Sequence, residues 1–496
     1  MTTFAPQAQA QAPSPQRAGA RAQAAPQTPV TGRPAVLRLR PPALRRWWTD
    51  ALDLTVWASY LVVVALWVHH GGVADLTAGM GSALTSLGRL TGLISADMLL
   101  LQVIGMARVP WIERAYGQDR ITRSHRLLGF WSVNLMVAHL MLITLGYAAL
   151  DQVGVLGELW SLVTTAPGML LATAGTVALL MVAVTSIRWA RRRLRYESWH
   201  LLHLYAYLGA GLALPHQLWT GRDFLASTAA TVYWWGLWGV AMAAVLVYRV
   251  AVPLLTSRRQ ALTVSRVVTE APGVISVTMT GRRLAELEVA AGQFFVFRFR
   301  TGAGWTRGHP LSLSAAPTTA ALRVTIGTRG DDGERLTRME PGTRVLVEGP
   351  YGRLRPEVRT RPGLVLIGSG LGIAPLVALA QNAVMTGATR DRPATLVRRV
   401  NDGDRQPLQT DLDHLVSLGA LRVVDLVGPR STTGTAWLPQ HLGHVPGPQA
   451  ARQLVPDLEG CDVFVCGAAP WAEAVAADLR SAGLPPTALH VERFTW

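Results

Sequence analysis

Two textures divide the chain. Between Leu52 and Val250 apolar residues gather into long blocks with short polar connections, and from about residue 260 they fall into short runs broken by Gly and Pro. The long blocks number six, at about 52–68, 86–106, 125–149, 168–188, 199–219 and 228–250. Each approaches the roughly 20 residues that cross ~30 Å of hydrocarbon as a helix rising ~1.5 Å per residue. One such block alone reads equally well as a buried core helix; six in succession predict a six-helix transmembrane bundle. The runs that follow, ALTVSRVV, VISVTMT, FFVFRF, LRVTIGT and RVLVEG, predict an antiparallel β-barrel. After Pro362 the run GLVLIG passes through a Gly-rich turn into PLVALAQNAV, and TLVRRV, LRVVDLV and DVFVCG follow with helical stretches between them. That alternation predicts a doubly wound α/β domain. The expected organisation is a multidomain membrane protein: a disordered Ala-, Gln- and Pro-rich segment over 1–45, helices over 46–255, a barrel over 256–357 and the α/β domain over 358–496. The first 35 residues lack the apolar stretch of a secretory signal.

Charge orients these elements. The 496 residues are 50% apolar with a formal charge of +16, and all 47 basic side chains are arginine. A basic balance can mark a nucleic-acid binder, but no zinc-finger spacing is present and the arginines flank apolar spans, so nucleic acid is not an expected partner. Arg108, Arg114, Arg120 and Arg123 share one connection; Arg188, Arg191, Arg192, Arg193 and Arg195 share another; Arg38, Arg40, Arg45, Arg46, Arg258 and Arg259 flank the two ends. The alternate connections 69–85 and 150–167 carry no arginine, and 217–227 carries only Arg222. The asymmetry predicts a six-pass protein of the cell membrane with both termini cytoplasmic. The two cysteines, Cys461 and Cys466, lie in one strand and support neither a disulfide framework nor a zinc site.

Histidines interrupt the apolar blocks. The third span holds His125 and His139, the fifth His200, His203 and His216. Ionisable residues within membrane spans are functional candidates, and imidazole is an axial ligand of haem iron. His125 and His139 are 14 residues apart, about 21 Å of rise, and fall on nearly one helix face. His203 and His216 are 13 apart, about 20 Å of rise, but about 140° apart in ideal rotation. Bringing His216 onto the face of His203 requires a distortion, for which Gly209, Gly211 and Pro215 are at hand. His200 reads as a propionate contact or a headgroup residue, and His69 and His70 as interfacial. Trp131, between His125 and His139, reads as a residue between two haems or as core packing.

Two histidines 14 apart on the third helix and two 13 apart on the fifth, in a six-helix unit, resemble the ferric reductase and NADPH oxidase superfamily. The resemblance covers about 52–250. It implies two b-type haems, the inner one between His125 and His203 and the outer between His139 and His216. It also places an arginine near the outer haem, so Arg89 reads as a propionate partner or as a side chain snorkelling to the interface.

The soluble half carries a second resemblance. Gly308-His309-Pro310-Leu311-Ser312-Leu313-Ser314 is similar to the flavin segment of ferredoxin-NADP reductase-like proteins, with Leu311 where an aromatic is usual. The resemblance implies FAD, with Ser312 and Ser314 donating hydrogen bonds and His309 facing a phosphate. Gly330-Asp331-Asp332-Gly333-Glu334-Arg335-Leu336 resembles the pyrophosphate loop, without the usual Thr, and Glu348-Gly349-Pro350-Tyr351-Gly352 the hinge between flavin and nucleotide domains. Gly368, Gly370 and Gly372 follow a strand and open a helix, where backbone N–H groups and the helix dipole favour a diphosphate. Arg398 and Arg399 lie after the next strand, as a 2′-phosphate site or a solvated pair, which bears on NADPH against NADH. Cys466-Gly467 resembles the family's turn near the nicotinamide, and Val491–Trp496 its terminal segment, where Phe494 or Trp496 would cover the flavin.

Together these features predict NAD(P)H-driven electron transfer through FAD and two haems across the bilayer. Ferric iron is the first expected acceptor. The alternatives are O₂ reduced to superoxide, a periplasmic protein partner, and a sensor with a vestigial reductase domain. Some oxidases of the family carry a further histidine one turn beyond the outer ligand, where this chain has Ile143.

Overall fold

The computed structural model describes residues 46–494, apart from 195, 303, 330–332 and 402–405. The expected disordered segment 1–45, and the candidate residues Gly330 and Trp496, lie outside the described residues.

Among the described residues, six long helices make up the N-terminal helical region: α1 (Arg46–His69), α2 (Met80–Met106), α3 (Gln118–Asp151), α4 (Met169–Ser186), α5 (Tyr196–Trp219) and α6 (Thr228–Ala244). Among the described residues, five helical stretches, those of α1 to α4 and the long Thr228–Gln260, are long and apolar enough to cross a membrane. The expected fifth span, 199–219, is a helix, α5, but does not belong to that set. His200, His203 and His216 offset its apolar residues, so the residues that make α5 interesting are those that weaken it as a membrane span. Trp57, Leu61, Val177 and Val232 are exposed large apolar side chains, as a lipid-facing surface requires.

Small residues set the helix pairing. A Cβ on Gly175 of α4 would lie 2.7 Å from the carbonyl of Gly209 on α5, and one on Gly209 would lie 3.0 Å from that of Gly175. This backbone approach packs α4 on α5, as small residues do between membrane helices. α2 packs on α3 in the same way, whereas α3 and α5 scarcely touch along their backbones. The bundle therefore keeps a slot between α3 and α5.

α6 does not stop at the expected boundary near 255. It continues as a π-helical stretch, Val245–Ala251, and then as the α-helix Val252–Gln260. Ala261, in the left-handed region at φ 45°, ends it, and β1 begins at Thr263. Six strands follow: β1 (Thr263–Ala271), β2 (Val274–Thr280), β3 (Phe294–Phe299), β4 (His309–Ser312), β5 (Ala321–Gly327) and β6 (Val345–Tyr351). They form two three-stranded antiparallel sheets, β1-β2-β5 and β4-β3-β6. Isolated bridges from Thr263 to Arg344 and from Leu313 to Val324 join the sheets at two seams. The alternating inward residues Phe295, Phe297 and Phe299 of β3 fill the core with Val277, Met279, Val324 and Val347, the period-two pattern of a sheet with one buried face.

The last unit is a five-stranded parallel sheet. Its strands are β7 (Gly363–Ser369), β8 (Ala394–Val400), β9 (Leu421–Val427), β10 (Cys461–Ala468) and β11 (Leu489–Phe494), in the order β11-β10-β7-β8-β9. Separate apolar cores cover its two faces, one around the helix Ile373–Met385 and the other around Ala469–Ser481. The strand order reverses between β7 and β10, and ligands of such sheets bind beyond the carboxyl ends of the strands at that point.

Candidate functional site

In the slot between α3 and α5 the histidines meet in pairs. The rings of His125 and His203 have centres 5.9 Å apart, and those of His139 and His216 6.3 Å apart. Two imidazoles flanking one metal through bonds of about 2 Å place their ring centres roughly 6 Å apart. The rotational mismatch on α5 is absorbed: the helix runs on through Pro215, which cannot donate to the preceding turn, and His216 still reaches His139. His139 Nδ1 donates to the Gly88 carbonyl at 2.8 Å. His216 Nδ1 lies 3.3 Å from the Ala213 carbonyl, and His203 Nδ1 lies 3.3 Å from Ser186 Oγ. A ring nitrogen fixed in this way sets the tautomer and leaves Nε2 for a metal. His125 Nδ1 is buried without a hydrogen-bond partner. Gly92 lets α2 back onto the His139 ring, since a Cβ there would meet His139 Nδ1 at 2.5 Å. Among the described residues no group of three or more His, Cys, Asp or Glu could hold a metal. A metal between either pair therefore draws further ligands from elsewhere, as haem iron does from its macrocycle, and the two pairs fit two haems.

The end of the bundle away from the sheets departs from expectation. Arg89 neither snorkels nor waits unpaired for a propionate: its guanidinium donates to both oxygens of Asp223, at 2.7 and 2.6 Å, and to Asp75 at 2.9 Å. His70 joins the same cluster. Its side chain is buried, with Nδ1 3.3 Å from Asp223. A buried cation is costly without a partner, and Asp223, just beyond α5, supplies one. The sequence reading missed Asp223, which no spacing signalled. It also missed Asp97, fully buried on α2, which accepts hydrogen bonds from Ser59 and Tyr233; the rule applied to the histidines would have found it. Trp131 is half exposed rather than packed in a core.

A cavity of ≈ 2070 Å³ lies between the helices, the six-stranded unit and the parallel sheet. Arg114, Arg123 and Arg126 line it from the membrane side, Pro310 and Ser312 from β4, and Phe494 from β11. His309, Pro310, Leu311 and Ser312 form β4, paired with β3, so this segment lies along one wall. His309 Nε2 is 3.2 Å from Arg335, in the short helix that Gly333 opens. The histidine segment and Arg335, a member of the expected pyrophosphate loop, are thereby brought together. Ser314 lies outside the cavity wall, fully buried, with its Oγ lacking a hydrogen-bond partner.

The nucleotide turn sits at the switch point of the sheet. Gly370 adopts φ +56°, and a Cβ on Gly372 would lie 2.3 Å from the carbonyl of Cys466. Gly368 ends the buried run of β7, and Gly467 packs on Trp471. The Cys466 thiol is wholly buried in the apolar core, and burial, then the Glu492 carboxylate, push its pKa well up. Such burial disfavours the thiolate, and the Cys466 carbonyl is the group that meets the glycine turn at Gly372. Arg398 is not a free phosphate ligand: it is 4% exposed, bound to both oxygens of Asp425 at 2.8 and 2.7 Å and to Gln409 at 2.8 Å. Arg399 is buried as well, donating to the Val400 and Leu426 carbonyls. The solvated pair of the sequence reading is thus a buried one, because β8 is an interior strand with β7 and β9 on either side.

Comparison with known proteins gives each half its relatives. Residues 91–214, which contain His125, His139 and His203 and end two residues short of His216, match the family described as ferric reductase like transmembrane component. The chain is 27% identical over 215 residues to the protein-methionine-sulfoxide reductase heme-binding subunit MsrQ of Yersinia pseudotuberculosis, covering 42% of this chain and 95% of that protein. It is 28% identical over 155 residues to the ferredoxin–NAD(+) reductase component of the alkene monooxygenase system of Xanthobacter autotrophicus, covering 31% of this chain. That match spans 46% of the Xanthobacter protein, less than half its length. The solved cytochrome P450 reductase GcoB of Amycolatopsis aligns with 47% of this chain and 69% of its own at 22% identity and a TM-score of 0.39. The chain joins a ferric reductase-like transmembrane component to a ferredoxin reductase-like module, the architecture of an oxidoreductase.

Proposed function

We propose that the chain carries electrons from cytoplasmic NAD(P)H through FAD and two b-type haems to an acceptor on the far side of a six-pass membrane domain, with both termini cytoplasmic. The observation that carries this reading is the pair of histidine couples, 5.9 and 6.3 Å between ring centres, held across one slot. Nicotinamide and flavin supply hydride transfer and the haems one-electron steps, while the protein supplies position and electrostatics. His125 with His203, and His139 with His216, hold the inner and outer haems. The Gly368–Gly372 turn cradles the coenzyme diphosphate, β4 and the helix at Gly333 flank the flavin, and Phe494 covers it. The arginines of the cytoplasmic face offset the negative charge of phosphates and propionates.

Ferric iron is the acceptor we favour, and Ile143 in place of a further histidine argues against superoxide production. The likeness to MsrQ over 95% of its length supports a second reading, in which the outer haem feeds a protein partner outside the membrane. Proteoliposomes with NADPH on the cytoplasmic side and a ferric chelate on the other test the choice. Chelate reduction insensitive to superoxide dismutase is the expected result. Haems that are reduced by NADPH yet pass electrons to neither the chelate nor O₂ would replace this reading with the protein-partner one.

A further inference from the structure

The membrane half and the flavin side of the soluble half are bolted together at one buried carboxylate. Glu348 on β6 has 8% of its side chain exposed. Its two oxygens take three partners: Arg249 at 3.4 Å, Arg298 on β3 at 3.3 Å and the Tyr351 hydroxyl at 3.0 Å. Arg249 belongs to the membrane half, in the π-helical stretch Val245–Ala251 that prolongs α6. π-helical turns are rare, and they recur at functional sites. Here the turn lies where the last membrane helix leaves the bundle. Beyond it, Ser257 Oγ both accepts from the Val347 amide and donates to the Val347 carbonyl, each at 2.9 Å, one residue before Glu348. From the other side, Arg108 at the cytoplasmic exit of α2 stacks on the Tyr351 ring with its guanidinium carbon 4.3 Å from the ring centre. Arg108 holds φ +68°, a conformation that costs energy for a residue with a side chain and persists where its surroundings impose it. Two separate exits from the bundle thus converge on Glu348 and Tyr351.

We propose that the Arg249–Glu348 pair is a positioning lock that seats the flavin-side sheets on the membrane helices, so that electron passage to the inner histidine pair depends on it while oxidation of the nicotinamide does not. The inference rests on the proposed function above. It assigns Arg249 and Glu348 no contact with any reacting atom; they act by holding the two halves in register, which sets the gap an electron must cross to reach the inner histidine pair.

The test uses the full chain in detergent with flavin and haem bound. NADPH is added anaerobically to wild type, Arg249→Met, Glu348→Gln, the double variant and Arg249→Lys, and haem reduction is followed beside reduction of a soluble dye, each normalised to bound flavin and to haem reducible by dithionite. The lock predicts that each single variant slows haem reduction about tenfold or more, with dye reduction held within about twofold. It predicts that the double variant is no slower than the singles, the non-additivity of partners in one interaction, and that Arg249→Lys recovers most of the rate. Ser257→Ala, which leaves every charge in place, should slow haem reduction in the same selective way. Wild-type haem reduction in Arg249→Met and Ser257→Ala, or losses that multiply in the double variant, would overturn the lock. A wild-type chain that reduces the dye but never its haems would instead overturn the electron path on which the lock rests.

Discussion

The membrane half and the soluble half carry their chemistry in opposite ways. In the membrane half the important side chains are polar exceptions in an apolar sequence, and each sits where the environment penalises it unless a partner is supplied. In the soluble half the important groups are largely backbone: a Gly-rich turn, a Cys-Gly turn whose thiol is buried, and a strand that lines a cavity. The structure brings the rings of His125 and His203, and of His139 and His216, together across the slot, and it commits Arg398 to Asp425. A charged residue is conspicuous in a membrane span, whereas an arginine in an α/β domain is as often structural as functional.

The sharpest way to break this comparison is to remove one histidine at a time. His139→Ala or His216→Ala should lower haem from two per chain to one, and so should His125→Ala or His203→Ala, read by the pyridine haemochrome assay; retention of both haems in any of the four would separate the pairs from haem binding. Next in size is the backbone of the soluble site. Gly372→Val drives a side chain into the Cys466 carbonyl, which stands 2.3 Å from where the new Cβ would fall. It should reduce NAD(P)H oxidation by at least about tenfold while flavin stays bound. Asp223→Ala leaves Arg89 with one carboxylate, Asp75, and breaking a buried ion pair costs roughly 3–5 kcal/mol, seen as a lowered midpoint on unfolding in mixed detergent. An unchanged midpoint would mean that the Arg89–Asp223 cluster does not hold α1, α2 and the end of α5 together. The smallest effect sharpens the contrast from the other side: Arg398→Ala should alter the ratio of kcat/KM for NADPH and NADH by less than about threefold, because the side chain is committed to Asp425. A loss of preference of about a hundredfold, ~2.7 kcal/mol by the usual conversion, would return Arg398 to the coenzyme.

Much of the fold is legible from hydrophobic period alone. Long apolar blocks gave helices at every expected place, and the switch to short alternating runs near residue 260 marks the first strand within a few positions. What escaped has a physical reason in each case. The π-helical stretch of α6 is invisible to a pattern tuned to 3.6 residues per turn. The rotation between His203 and His216 looked unfavourable on ideal helical geometry, yet His216 still comes within 6.3 Å of His139 between ring centres. Asp223 and Glu348 gained their roles only through contacts with residues 134 and 99 positions away in sequence, Arg89 and Arg249, and no local spacing encodes such pairs. Glycine was the more reliable guide: Gly92 beneath His139 and Gly372 against Cys466 both stand where a Cβ would collide with the group that matters.

The central claim is that one chain connects a nicotinamide site to two haems through a flavin. An anaerobic optical spectrum of the purified protein, taken oxidised, after NADPH or NADH alone and after dithionite, tests it most directly. The account predicts two b-type haems per chain, both reduced by the nucleotide to the level reached with dithionite. A protein that binds no haem, or whose haems respond to dithionite but never to either nucleotide, would contradict it.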